Sequence, residues 1–245
     1  MNPQNVVAVV PARVDSTRLH NKVLLSETGK PLICHTIESI MAASCVGSVV
    51  VATDSAEIKA ACRGIANVIL TGPANCGTDR IASIVDQLNA DLIVAVQADE
   101  PEIKPGHLEA LVNTYTAFPA CDIATLATAI APSDMDNENV VKVSVSPTQK
   151  FAYHFWRTTE SEDDWKLNPD VRRHLGIYAY SPRFLKWISG QPANRWEESE
   201  RLEQLRAYYL NCRIRVAIVD HPYHGIDTRE QYDAFVARWK AKHNG

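Results

Sequence analysis

The chain has 245 residues, 46% of them apolar, and a formal net charge of −4 with acids and bases interspersed. That size suits one α/β domain with at most a small inserted lobe. The mixed charge argues against general nucleic-acid or membrane-surface binding, and leaves room for a local basic pocket that takes a phosphorylated small molecule. The six cysteines are scattered and form no CxxC pair, so reduced thiols and a cytoplasmic setting are expected. The opening MNPQNVV has no basic n-region and no long apolar stretch, so neither a signal peptide nor a membrane span is expected. HPYH (221–224) has no further clustered ligand and reads as a loop.

In chain order, VVAVV (6–10) predicts a short buried strand and PLICHTIESIMAAS (31–44) a helix. SVVVATD (48–54) predicts a strand, and SAEIKAACRG (55–64) a helix closed by Gly64. NVILT (67–71) follows as a strand, TDRIASIVDQLN (78–89) as a helix, DLIVAVQADEP (91–101) as a strand and GHLEALVNTYTAF (106–118) as a helix. Continuous apolar strands between amphipathic helices predict a mostly parallel, doubly wound sheet covered on both faces. Beyond residue 120 the links shorten. IATLAT, VVKVSVS and FAYHFW read as strands, 158–171 as a polar loop and HLGIYAYS (174–181) as a strand. EESERLEQLRAYYLN (197–211) reads as a helix, RIRVAIVD (213–220) as a strand and TREQYDAFVARWKAKH (228–243) as a closing helix. One domain is expected, with about 1–120 plus 213–245 as a nucleotide-binding core and about 121–212 as a smaller mixed-strand lobe for substrate and dimerisation.

In an open parallel sheet, ligands bind beyond the carboxyl ends of the strands. Four polar clusters stand at such ends. PARVDSTRLHNK holds Arg13, Arg18 and Lys22, either a polyphosphate grip or a basic loop that keeps a strand end soluble. It contains no GxGxxG and no Walker A pattern. QADEP places Gln97, Asp99 and Glu100 at a strand tip, where a carboxylate holds Mg²⁺ or is merely solvated at a turn. HGIDTREQY puts Asp227 before a helix, as a second metal carboxylate or as part of a capping box with Glu230 or Gln231. NCGTDR sets Gly77, Thr78 and Arg80 at a helix start, reading a base edge or an anion, or simply supplying an N-cap.

Together, cations after the first strand and acids at two other tips describe a metal-dependent nucleotide site. At this point VPARVDSTRLHNK, VATD, CGTDR, VQADEP, RRHLGIYAY, LEQLR and GIDT, in this order over almost the whole chain, resemble the cytidylyltransferases that activate 3-deoxy-D-manno-octulosonate (Kdo) as CMP-Kdo for lipopolysaccharide. The resemblance implies that Arg13, Arg18 and Lys22 hold the triphosphate of CTP. It implies that Gly77, Thr78 and Arg80 recognise cytosine and ribose, and that Asp99 and Asp227 bind Mg²⁺. Gln97, Arg157, His174, Tyr178, Glu200 and Gln204 would line the pocket for the 2-keto-3-deoxy sugar acid. Arg13, Lys22, Asp99 and Asp227 would form the catalytic centre of a homodimeric, cytoplasmic enzyme.

The chain departs from that pattern at several places. His20-Asn21-Lys22-Val23 replaces the family's Pro-Gly-Lys-Pro, Ala98 replaces the glycine of QGDEP, and Cys76 the serine before GTDR. Glu198 stands where the family often has a histidine. After Arg157 the run is TTESEDDW, and Glu160, Glu162, Asp163 and Asp164 leave the acceptor open between Kdo and an amino sugar acid such as 8-amino-3,8-dideoxy-manno-octulosonate. A catalytically silent nucleotide-sugar binding protein on the same fold stands as the alternative of another class.

Overall fold

The computed structural model describes residues 3–14, 19–118, 120–148, 150–157, 170–220, 223 and 225–243. Arg18, the acidic run 158–169 and both histidines of HPYH lie outside them. The first half alternates as its apolar pattern dictates: β1 (Val6–Ala12), α1 (Leu32–Met41), β2 (Ser48–Thr53), α2 (Ala56–Ala61), β3 (Asn67–Leu70), α3 (Gly77–Ala82), β4 (Leu92–Ala95) and α4 (Pro105–Thr116). The second half adds β5 (Ile123–Thr128), β6 (Lys142–Val145), β7 (Ala152–Trp156), β8 (Val171–Tyr180), α5 (Pro182–Ser189), α6 (Arg195–Glu200), α7 (Gln204–Tyr209), β9 (Ile214–Ile218) and α8 (Arg229–His243).

One sheet runs through both halves in the order β3-β2-β1-β4-β8-β5-β9, with β6 pairing to β7 and β8 beside this path. β3, β2, β1 and β4 are mutually parallel, and β5 and β9 are parallel to each other. β8 is inserted antiparallel between β4 and β5. The chain winds outward in opposite directions from β1 and β4, so a crevice opens at the carboxyl ends of those two strands.

Both faces of the sheet are buried, and β1 shows why its sequence is an unbroken apolar run. Val6, Ala8 and Val10 enter the core beside α1, α2 and α4, while Val7 and Val9 enter the core beside α3, α5 and α7. A third cluster seats α8. Tyr232, Phe235 and Val236 pack with Leu32 and Ile226, and Leu19 and Leu25 lie against them. Tyr232 OH accepts the amide of Glu27 at 2.9 Å, and Arg229 pairs with the Glu27 carboxylate at 2.6 Å. The C-terminal helix therefore braces the segment that carries Lys22. No helix among the described residues is long and apolar enough to cross a membrane.

Two expected helices are shorter than their periodicity predicts. The 78–89 run ends as an α-helix at Ala82, where Ser83 Oγ donates to the Arg80 carbonyl at 2.7 Å, and a 3-10 turn over Val85–Gln87 follows. A serine bonding back three residues competes with helical propagation. The 197–211 run is two helices, α6 and α7, separated at Arg201, whose φ of +54° is left-handed. This break turns the Leu202 side chain into the core and Glu203 towards α3.

A non-glycine residue in the left-handed region carries about 1–2 kcal/mol of strain. Arg201→Gly is therefore expected to leave urea-unfolding stability equal or higher. Arg201→Val, with a β-branched side chain, is expected to lower it by about 1–2 kcal/mol.

Candidate functional site

The crevice between the β1 and β4 ends is a cleft of about 850 Å³. One wall follows β1 and carries Arg13, Leu19 and Lys22. The floor is Gln97, Ala98 and Asp99 beyond β4. A second wall is α3 with its preceding turn, from Ala74 to Arg80. A third is the 189–206 segment, and Asp227 closes the end.

The centre of the cleft is an ionic contact between three distant pieces of chain. Lys22 Nζ is bonded to Asp99 Oδ2 and, at 2.8 Å, to Asp227 Oδ1. Burial works against the Lys22 charge, but the two carboxylates outweigh it and hold its pKa above the ordinary lysine value. The backbone makes this placement possible. Asn21, just before Lys22, sits at φ +52°, in the left-handed region where the family pattern has glycine. Asparagine is among the few residues that adopt it readily, so the drift from Pro-Gly-Lys-Pro keeps the turn. Ala98 needs no positive φ, is nearly buried, and its carbonyl accepts the Thr36 hydroxyl at 3.0 Å.

Asp227 and the helix cap prove to be separate features. Gln231 Oε1 accepts the amides of Asp227 (2.7 Å) and Thr228 (3.0 Å), and Thr228 Oγ1 accepts the Gln231 amide at 3.3 Å. Thr228 and Gln231 make the capping box, and the Asp227 carboxylate faces Lys22. Ile226 N donates to the Asp99 carbonyl at 2.9 Å, which ties the two acid-bearing loops together. Beneath them lies Glu100. Burial pushes its carboxyl well above the usual carboxylate range, and the charges of Asp99 and Asp227 push the same way. Gly225 passes directly over it; a Cβ there would meet Glu100 Oε1 at 3.4 Å.

The α3 wall is wired differently from expectation. The amides of Gly77 (3.1 Å) and Thr78 (3.0 Å), and the Thr78 hydroxyl (2.6 Å), all donate to the Glu203 carboxylate. The anion at this helix start is the protein's own. Arg80 is buried, with Nη1 on Thr71 Oγ1 at 2.6 Å and Nη2 on Asp54 at 2.8 Å, so its donors face β2 and β3. Cys76, in place of the family's serine, still caps α3 by accepting the Asp79 amide at 3.5 Å. Burial raises its thiol pKa, with Glu203 and Asp79 adding to the effect.

Of the residues expected on the acceptor side, Gln97 lines the cleft, while Arg157, His174, Tyr178, Glu200 and Gln204 lie outside its lining. The Arg157 amide donates to Glu200 Oε2 at 2.7 Å, and Arg157 Nη1 approaches the carbonyls of Glu138 and Asn139. Tyr178 OH donates to Gln204 Oε1 at 3.0 Å, and Gln204 Nε2 is buried with no hydrogen-bond partner among the described residues. His174 is 7% exposed. Its Nε2 lies 2.9 Å from Thr125 Oγ1, and its ring meets Phe155 and Tyr178. Sequence reasoning passed over Lys142, whose fully buried ammonium donates to the carbonyls of Asn137, Val140 and Arg157. Its lone appearance between valines in VVKVSVS was the available signal. Glu203 and Arg206 of LEQLR were also passed over, although the motif containing them was recognised.

This architecture, an α/β sheet with a cleft of cations and carboxylates at its switch point, defines a nucleotidyltransferase. Residues 7–214 match the cytidylyltransferase family model. A 3-deoxy-manno-octulosonate cytidylyltransferase from Anaeromyxobacter sp. is 38% identical over 234 residues, covering 94% of this chain and 95% of the relative. Its counterpart from Rhodopirellula baltica is 36% identical over 242 residues, covering 94% and 96%. The solved structure of CMP:2-keto-3-deoxy-manno-octonic acid synthetase complexed with CTP superposes with a TM-score of 0.89 at 32% identity, covering 98% of this chain and all of that one. A Leptospira borgpetersenii cytidylyltransferase, at 15% identity and a TM-score of 0.63, shares the fold. The chain belongs to the 3-deoxy-manno-octulosonate cytidylyltransferase family.

The core histidines generate a pH prediction. Burial, reinforced by Arg157, pulls the His174 pKa down to about 3 from 6.5. Burial, with Lys30 adding to it, pulls His35 down to about 4. The unfolded chain takes up these protons first as the pH falls, so stability is full above about 6.5 and is lost from there down towards the folded values. His174→Asn is expected to flatten the dependence of unfolding free energy on pH between about 6 and 4, by up to about 1.4 kcal/mol per pH unit, measured by urea titration at each pH.

Proposed function

We propose that this protein is a Mg²⁺-dependent CTP:Kdo cytidylyltransferase that transfers CMP from CTP to the anomeric hydroxyl of Kdo and releases pyrophosphate. The observation that carries the reading is the convergence of Lys22, Asp99 and Asp227 in the cleft, in a chain whose relatives bear this name. Two carboxylates that already meet on one cation offer the hard-oxygen donors that Mg²⁺ takes, with waters and phosphate oxygens completing its shell.

Asp99 and Asp227 would hold Mg²⁺, which when bound neutralises phosphate charge and acidifies the attacking hydroxyl. Arg13, exposed at the β1 end, and Lys22 grip the triphosphate, and Arg18 belongs to the same segment. Both cations stabilise charge on the departing pyrophosphate. The C2 hydroxyl oxygen of the sugar acid attacks the α-phosphorus in line and gives up its proton to solvent, the bond between the α-phosphorus and the oxygen bridging to the β-phosphate breaks, and no covalent enzyme intermediate is needed. Gln97 on the cleft floor faces the acceptor, and Arg157, Tyr178, Glu200 and Gln204 support that side, with His174 packed behind them. The cytoplasmic setting and the homodimer implied by the resemblance belong to the same proposal.

With CTP, Mg²⁺ and Kdo, the purified protein is expected to release pyrophosphate, and to release none when Kdo is omitted or EDTA is added. Absence of product with Kdo would sink the reading, and a marked preference for the 8-amino analogue run in parallel would move the acceptor. Asp99→Ala is expected to lower turnover at least about 100-fold while weak CTP binding persists. Unchanged turnover would remove Asp99 from the metal site and favour another centre.

A further inference from the structure

Two of the recognised motifs contain residues to which the chemistry above gives no role: Asp79 in GTDR, and Glu203 and Arg206 in LEQLR. The structure makes them one another's neighbours. Glu203 Oε1 accepts the Gly77 amide, and Oε2 accepts the Thr78 amide and hydroxyl. Two of the first-turn amides of α3, which no helix can satisfy internally, are thus bonded by a carboxylate about 125 residues along the chain. A Cβ on Gly77 would meet Pro11 Cγ at 3.4 Å and Glu203 Oε1 at 3.7 Å. The first turn of α3 therefore packs closely on both the end of β1 and Glu203. Arg206 completes the grip. Its Nε and Nη2 engage both oxygens of Glu197 at 2.9 and 2.6 Å, and Nη1 reaches Asp79 at 3.3 Å. Arg206 and Glu197 are 6% and 8% exposed, so this pair is shielded from water and from salt.

The same segment has a second face. Glu200 bonds the Arg157 amide and Gln204 bonds Tyr178, both on the acceptor side. The left-handed break at Arg201 lets one short stretch of chain grip α3 with Glu203 and Arg206 while Glu200 and Gln204 look the other way.

We propose that Glu203 and Arg206 are positioning residues for the nucleotide side of the cleft: they fix the first turn of α3 against the β1 end and so set the affinity for CTP, with no contact of their own to the acceptor. The inference rests on the CTP reading above and deepens it. It accounts for the occurrence of GTDR and LEQLR in one chain, since each supplies the other's partner.

The test is calorimetric titration of the full-length protein with CTP and Mg²⁺ in the absence of acceptor, together with separate KM values for CTP and Kdo. In Glu203→Ala the Kd and KM for CTP are expected to rise about tenfold, the loss of charge-assisted hydrogen bonds to two amides, while the KM for Kdo stays within about twofold. Glu203→Gln, which keeps an acceptor oxygen, is expected to recover most of that loss. Arg206→Lys, which cannot engage Glu197 with two nitrogens and also reach Asp79, is expected to weaken CTP in the same direction. Should Glu203→Ala fail to fold, Arg206→Lys decides on the same readings. An unchanged CTP Kd in folded Glu203→Ala or Arg206→Lys, with only the melting temperature lowered, would overturn the proposal. So would a rise confined to the KM for Kdo, which would put Glu203 on the acceptor. Wild-type protein that binds CTP but does not turn over Kdo would fail the acceptor assignment alone and leave the clamp to be judged by Kd. Wild-type protein that does not bind CTP would overturn both.

Discussion

Lys22, Asp99 and Asp227 come from the segment after β1, the segment after β4 and the turn just before α8, and their ionic contact is the constraint around which the rest is arranged. Three partly desolvated charges can stay together only if each has a partner and the backbone cannot drift. The backbone is accordingly fixed on every side. Asn21 takes a left-handed turn into Lys22, Ile226 bonds the Asp99 carbonyl, and the Thr228–Gln231 box fixes the start of α8. α8 in turn is anchored by Tyr232 and Phe235 against Leu32, which leads back to the segment after β1. The sheet supplies the geometry and the last helix closes it, so the final turns of the chain belong to the site although they lie farthest from it in sequence.

The same economy governs the α3 wall. A six-residue helix is too short to be stable on propensity alone, and it must be held by tertiary contacts. Here the contacts are polar as well as apolar. Ile81 anchors one side in the core, while Glu203, Arg206 and the Arg80–Asp54 pair fix the other. A wall that faces a hydrated cleft cannot be held by apolar burial, and directional bonds to charged groups are the remaining means of fixing it.

Much of this was legible in sequence. The strands β1, β2 and β3 and the helices α1, α2, α4 and α8 fall where periodicity placed them, because their apolar residues face a core that covers both sides of the sheet. Asp99 and Asp227 stand out in sequence because a carboxylate in the loop after an apolar strand is a local feature, and the fold brings both to Lys22. What sequence did not carry was pairing. Whether 197–211 is one helix or two turns on the backbone of Arg201, and the gain from breaking it is a bond between Glu203 and α3, 125 residues away. Arg80 lines the cleft yet already engages Asp54 and Thr71, and His174 is enclosed by Thr125 and Phe155, neighbours that the sequence does not name. Composition shows which groups are present, and only the fold shows which are already satisfied.

That distinction bears on how an acidic chain can offer a site to a polyanion. The cleft is walled by several carboxylates, and unpaired they would repel a triphosphate. Glu203 is engaged by two helix amides and a hydroxyl, Glu197 by a bidentate arginine, and Asp79 by a nitrogen of the same arginine. Glu100, directly beneath the centre, is pushed by burial towards its neutral form. The acids that remain available at the centre are Asp99 and Asp227, and both meet a cation. The net charge of −4 rules out an overall excess of basic residues. Pairing most of the wall acids internally limits the repulsion a polyanion would meet, and Arg13 stands exposed at the β1 end.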